Sequence, residues 1–298
     1  MLDNDSHILV CTDFSDFSNW AVKAGAYLKS KTGATLHVLH VNDFPLQWDW
    51  VINEAMTDYL DERFNFELMN ISQQRLRHQL SELQVQAIPH VLIGFPSYEI
   101  QQFIKDKKIN LVIIGHKGKG NSIFNLGSLA AKILASSSIP TLIVKKEFLL
   151  SKIAGLVDSS TEMKEIIEAT EKLGKIFTCP NEIISLIVDI ESRFLGIGKV
   201  GFSTKLLSLS DEDKKQLIKE VQFNIRSYLK KNSDTKVKVE LTVERKISYQ
   251  LNSILLNDHV DLVVMKRHQS DLLKKILIGS ETRRMIEIFD GHLLILPP

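Results

Sequence analysis

The sequence predicts an α/β protein built from two tandem, doubly wound domains, each a five-stranded parallel sheet with helices on both faces. Three observations predict it. Short apolar runs such as Leu111-Val112-Ile113-Ile114 and Leu262-Val263-Val264-Met265 lack the alternation of a half-exposed strand, so they suit strands buried on both faces. Segments with apolar residues at helical spacing separate these runs. The order of the segments then repeats with a period of about 150 residues, which marks a duplicated domain and not a solenoid.

In the first half, His7 to Cys11 reads as a strand ending in Thr12-Asp13. Ser15 or Ser18 can cap a helix that places Ala21, Ala24, Gly25 and Leu28 on one face, and Gly33 ends it. Thr35 to Val41 is a strand. A long helix is expected from about Asn53 to Leu83, with Tyr59, Leu60, Phe64, Leu68 and Ile71 at helical spacing. Ile88 to Ile93 is a strand stopped by Gly94-Phe95-Pro96, and Ser97 is expected to cap a short helix carrying Ile100, Phe103 and Ile104. The strand at Leu111, a glycine loop, a helix opening at Gly127-Ser128 and a last strand after Pro140 complete the unit.

The second half follows the same order. Its elements are a strand at Ile153 to Val157 ending in Asp158, a strand at Ser185 to Val188, and a long helix from about Asp211 to Lys231. Val237 to Val243, a helix at Ile247 to Leu256, a strand at Asp261 to Met265, Gly279-Ser280 and a strand at Leu293 to Leu296 follow. The domains are therefore 1–148 and 149–298. The last strand of each repeat, Thr141 to Lys145 and Leu293 to Pro297, is apolar and open-edged. These strands are expected to pair the repeats as an internal pseudo-dimer, and a further homodimer is compatible with that arrangement.

Composition narrows the function classes. Net charge near +1 offers no broad basic face for nucleic acid. No apolar run reaches the roughly 20 residues of a membrane span, and the first residues do not read as a signal peptide, so a cytoplasmic, membrane-free protein is expected. Cys11 and Cys179 make neither a metal spacing nor a disulfide framework, and Cys11 reads as a buried, inert thiol.

The chemistry concentrates between Leu111 and Lys146. A buried strand ends at Gly115, a loop rich in glycine and small polar residues follows, and a helix N-terminus opens at Gly127. Glycine lets backbone approach a ligand, and the first helical N–H groups lack intrahelical partners, so the segment is an anion cradle suited to phosphate. Asp13, Val41 and Gly115 stand at strand C-terminal ends, where a doubly wound sheet binds ligands. His40 and His116 read as packing or surface residues. Lys117 and Lys119 can reach phosphate, although loop lysines are commonly solvated.

Thr12-Asp13-Phe14-Ser15, Leu39-His40-Val41, Gly94-Phe95-Pro96-Ser97 and the glycine loop together resemble the universal stress protein family in its tandem form. The ATP-binding branch carries Gly-x2-Gly-x9-Gly-Ser/Thr after its fourth strand. Here Gly115-His116-Lys117-Gly118 fits, but eight residues rather than nine precede Gly127-Ser128. The resemblance implies an adenine-nucleotide alpha-hydrolase-like fold that binds ATP, ADP or AMP, with Mg as a companion of the polyphosphate. It implies Thr12, Asp13 and Val41 near the base, Gly115 and Gly118 near ribose and phosphates, and Gly127, Ser128 and Leu129 on phosphate. It also implies a stress-response sensor or regulator with an unidentified protein partner. No general base or metal cluster is evident, so no catalytic residue and no fast turnover are expected. A nucleotide-free interaction module, or more remotely a slow ATP hydrolase, is the alternative.

In the second half, Lys266 replaces Gly115 and Gln269 replaces Gly118, while Asp158 and Gly279-Ser280 persist. Bulky side chains where backbone should meet ligand make this a degenerate site, so nucleotide is expected in the first domain only.

Overall fold

The structure, a computed structural model, describes residues 2–43, 54–118, 127–158, 163–188, 210–242, 247–267 and 280–298. The chain divides into two compact units, the first running to Phe148 and the second starting at Leu149.

The first unit contains β1 (His7–Cys11), α1 (Asp16–Thr32), β2 (Thr35–Asp43), α2 (Glu54–Glu82), β3 (Ile88–Gly94), α3 (Pro96–Asp106), β4 (Leu111–Gly115), α4 (Ser128–Ser136) and β5 (Thr141–Val144). Its strands lie in the order β3-β2-β1-β4-β5, and every pairing among them is parallel. The two central strands are buried on both faces, with Ile8, Leu9, Val10, Val112 and Ile113 wholly excluded from solvent. This is why they read as continuous apolar runs. The order reverses at β1, which has β2 on one side and β4 on the other. The loops leaving the C-terminal ends of β1 and β4 therefore diverge and leave a crevice between them.

Local signals set the helix ends. Ser15 is the N-cap of α1, its hydroxyl accepting the Ser18 N–H at 3.3 Å. Gly33 closes the helix at φ 75°, where a side chain would be strained and would strike Asn4. The expected cap at Ser97 is not formed. Phe95 holds the N-cap position of α3 without a side-chain cap, and Pro96 starts the helix with its φ already set. Strand β2 runs two residues beyond Val41, to Asp43.

The second unit contains β6 (Ile153–Val157), α5 (Met163–Phe177), β7 (Asn181–Val188), α6 (Asp211–Tyr228), β8 (Lys236–Thr242), α7 (Ile247–Asn257), β9 (Leu262–Lys266), α8 (Ser280–Ile288) and β10 (His292–Leu296). Its strand order is β10-β9-β6-β7-β8, again all parallel. Helix α5, unassigned in the sequence reading, buries Met163, Ile166, Ile167, Leu173 and Phe177. Helix α6 opens with a capping box between Ser210 and Asp213.

The repeats match residue for residue at the central strands. Gly115 pairs with Val144 and the next N–H, of His116, donates to Val144 O at 2.9 Å. Lys266 pairs with Leu296 and the next N–H, of Arg267, donates to Leu296 O at 3.0 Å. Lys266 therefore stands structurally where Gly115 does. No helix among the described residues is long and apolar enough to cross a membrane.

Candidate nucleotide-binding site

The site begins with the turn after β1. Thr12 is buried and continues the ladder by donating its N–H to Leu39 O at 2.9 Å. Its hydroxyl is a hub. It accepts the Phe14 N–H at 3.1 Å and the Gln79 carboxamide N–H at 3.0 Å, and it lies 3.0 Å from Ser18 Oγ. Gln79 in turn donates to Asn19 at 2.6 Å. Thr12 thus ties the turn to α1 and α2, and its side chain is spent inside the protein. Thr12→Val is expected to lower stability by about 1 kcal/mol, the net worth of a buried hydrogen bond. Urea unfolding of the full chain checks it.

The turn holds a conformation few side chains adopt, with Phe14 at φ 63°. The Phe14 ring is fixed from two sides, by the His40 ring at 4.4 Å between centroids and by the Arg75 guanidinium 4.3 Å from its centroid. His40 Nδ1 lies 2.8 Å from Thr12 O. A carbonyl only accepts, so Nδ1 carries the proton and donates. Burial pushes the His40 pKa down, which keeps the ring neutral. Beside the ring, Asn42 Oδ1 accepts the Ser72 hydroxyl at 2.9 Å. His40 is therefore a brace for the turn.

Asp13 projects from the braced turn, half-buried. One carboxylate oxygen accepts the Ser15 N–H at 3.1 Å and the Ser15 hydroxyl at 2.6 Å. The other faces the glycine loop, since a Cβ built on Gly118 would lie 2.6 Å from Asp13 Oδ2. Gly118 is thus the residue type that lets the loop after β4 pass the carboxylate.

The three loop glycines have different reasons to be glycine. A Cβ on Gly115 would lie 2.8 Å from the backbone carbon and 2.9 Å from the carbonyl oxygen of Phe17. Its missing side chain is filled by the first turn of α1, so Gly115 serves helix–sheet packing. Among the described residues, a Cβ on Gly127 would meet no atom closer than Gly118 N at 3.5 Å, an ordinary contact, so the described residues leave the space in front of the Gly118 amide open.

Gly127 is also the N-cap of α4 and brings no side-chain cap. Its own N–H donates to His116 O at 2.9 Å. The first N–H donated within the helix is that of Ala131, to Gly127 O at 2.9 Å. The N–H groups of Ser128, Leu129 and Ala130 precede the helix's own ladder and point out of its N-terminus. Val41, half-buried, contributes backbone. In a strand, alternate residues face the same neighbour, so Val41 shares the orientation of Leu39, whose carbonyl faces β1. Pairing with β1 stops at Cys11 and Leu39 apart from the Thr12 N–H bond, so the Val41 N–H and C=O face the space beyond the end of β1.

Lys117 is half-buried and Gly118 exposed at the edge of the described loop, and Lys119 lies outside the described residues. His116 is buried, edge-on to Phe17. Burial pushes the Cys11 thiol up to about 12, which makes it inert. Among the described residues no group of three His, Cys, Asp or Glu could hold a metal ion.

In the second unit the corresponding crevice is differently filled. Lys266 is nearly buried, and its ammonium lies 3.0 Å from Glu165 Oε2 in the first turn of α5. Asp158 is exposed. Gln269 and Gly279 lie outside the described residues.

A doubly wound α/β protein with glycines gathered at the switch point of its first sheet is the class these features define. Residues 6–145 match the universal stress protein family. The chain is 30% identical over 148 residues to universal stress protein YxiE of Bacillus subtilis, covering 46% of this chain and 97% of YxiE. It is 23% identical over 303 residues to universal stress protein Slr1230 of Synechocystis sp., covering 94% of this chain and 96% of Slr1230, so that likeness runs through both repeats. A solved universal stress protein from Archaeoglobus fulgidus superposes with a TM-score of 0.66 at 16% identity, covering 100% of this chain and 99% of that one, and shares the fold. The chain belongs to the universal stress protein family.

Proposed function

We propose that the first domain binds one adenine nucleotide (ATP, ADP or AMP) and that the chain works as a nucleotide-dependent sensor or regulator in stress physiology. The observation that carries this reading is Gly127. Among the described residues nothing occupies the place of its Cβ, although the residue sits at a helix N-terminus facing the Gly118 amide. Phosphate would occupy that cradle, accepting from the Ser128, Leu129 and Ala130 N–H groups. The Val41 N–H and C=O would meet the base edge, and Asp13 would lie between base and loop. A polyphosphate would bring its own Mg, for which Asp13 is the nearest carboxylate in the turn. The second domain carries no nucleotide in this reading, because Lys266 brings a side chain, paired with Glu165, to the position Gly115 holds in the first. Binding would order the loop surface for a protein partner.

Isothermal calorimetry of the full chain with ATP, ADP and AMP tests this. One nucleotide per chain is the expected result, and two equivalent sites or none would refute it. Turnover is expected to stay below about 1 per second, since the site offers a cradle and no base placed to activate water. A faster rate that survives purification and is lost in Asp13→Ala would make the protein an enzyme. The second reading, a nucleotide-free interaction module, draws on the Gly127 N–H already being spent on His116 O. An absence of binding to all three nucleotides would favour it.

A further inference from the structure

Three histidines far apart in sequence meet across the first sheet. His7 on β1, His37 on β2 and His90 on β3 are linked ring to ring, with His7 Nδ1 3.0 Å from His37 Nε2 and His37 Nδ1 3.0 Å from His90 Nε2. The ring centroids are 5.3 Å and 5.2 Å apart, the His7 ring stacked on His37 at 28° and the His90 ring tilted to it at 33°. Phe103 of α3 presents its edge to His37 and His90 at 5.9 Å and 4.8 Å. The middle ring is buried, while the outer two are half-exposed. We infer that His7, His37 and His90 form an acid-sensitive latch that holds the β3 edge and α3 to the centre of the sheet when neutral and releases them on protonation.

Proton counting gives the mechanism. Each 3.0 Å contact needs one N–H and one lone pair. A neutral His37 has one of each, so it donates to one neighbour and accepts from the other, and all three neutral rings satisfy both contacts. One added proton is tolerated, because a charged His37 can donate to both neighbours. A second is not, because three protons then lie on the four nitrogens of two contacts and one contact becomes N–H against N–H. Opening is thus cooperative in protons.

The surroundings oppose the charged state. The titratable and charged groups facing His37 are His7 from β1, His90 from β3 and Lys107 at the end of α3, none of them a carboxylate. Burial first, then these neighbours, lower the His37 pKa to about 4, and burial with Lys107 lowers that of His90. A folded-state pKa below the ordinary 6.5 means that the unfolded chain binds more protons between those values. The stability contributed by the neutral rings is therefore complete above about pH 6.5 and is lost as the pH falls towards about 4.

Amide hydrogen exchange on the full chain tests the latch. From about pH 7.5 to about pH 5, after correction for intrinsic exchange, protection of the Ile88–Gly94 amides is expected to fall roughly 10-fold or more, with protection at Leu111–Gly115 kept. His37→Phe, which retains an aromatic ring beside Phe103, is expected to abolish the pH-dependent part. Should that variant fail to fold, ring titration of the wild type by NMR decides. The His37 ring is expected to stay neutral down to about pH 5, well below the ordinary 6.5 of a histidine. Equal protection of the Ile88–Gly94 amides at both pH values, or a His37 ring that titrates near pH 6.5, would overturn the inference.

Discussion

Gly127→Val is expected to weaken nucleotide binding by on the order of 10- to 1,000-fold while leaving the melting temperature of the chain nearly unchanged. The two halves of this expectation come from one measurement. A Cβ at position 127 would sit 3.5 Å from Gly118 N, 3.8 Å from His116 O and 3.9 Å from the Lys117 carbonyl carbon. All are ordinary contacts, so the folded protein accepts the first carbon of a side chain there. The N-cap backbone at φ −58° and ψ 145° also suits a β-branched residue. What the side chain displaces is the ligand. Its branches would fill the space in front of the Gly118 amide and the open N–H groups of α4. Losing one or two charge-assisted hydrogen bonds, each worth about 1.5–3 kcal/mol, corresponds to the stated range. Calorimetry together with a thermal melt on the same sample checks both halves. A variant that binds as tightly as wild type would show that phosphate does not use this cradle. One that melts far lower would show that Gly127 serves the fold.

The same distances explain which parts of the protein could be read from sequence. The central strands were legible because burial on both faces leaves an unbroken apolar run, as in Leu111 to Ile114. Helix α5 was not, because Thr170, Glu171 and Gly174 lie buried on it and break its apolar pattern. The cradle was legible because a glycine loop before a helix is a local signal. The division of labour among its glycines was not, because it depends on what each absent Cβ would touch. Gly115 answers to Phe17 in α1, Gly118 to Asp13, and Gly127 to no atom within 3.4 Å among the described residues. The way Thr12 ties the turn to α2 was hidden for the same reason, since its partner Gln79 lies 67 residues away. The residues that brace the turn, His40 and Arg75, carry no motif, and nothing local marks them. Likewise the histidines of β1, β2 and β3 become a cluster only when parallel register brings the strands together.

Gly115→Val should behave in the opposite way to Gly127→Val, lowering the stability of the chain by about 3 kcal/mol, at the upper end for overpacked cores. The atoms a Cβ would strike at 2.8–2.9 Å are the main-chain carbon and oxygen of Phe17, which no rotamer change can move aside. Relief requires α1 to shift as a body. That helix packs against β1 and β4 and carries, at its N-terminus, the Ser15 cap that holds Asp13. A shift would therefore cost core contacts first and the site second. Because Lys266 occupies the matching register in the second unit and reaches Glu165 with its ammonium, the fold itself does not forbid a side chain there. What forbids it at Gly115 is the approach of α1. Urea unfolding should show a lower midpoint with an unchanged slope. Nucleotide affinity should fall as well, and should recover in part under conditions that stabilise the fold, such as added sulfate. An unchanged midpoint would show that α1 moves freely and that Gly115 leaves space for a ligand after all.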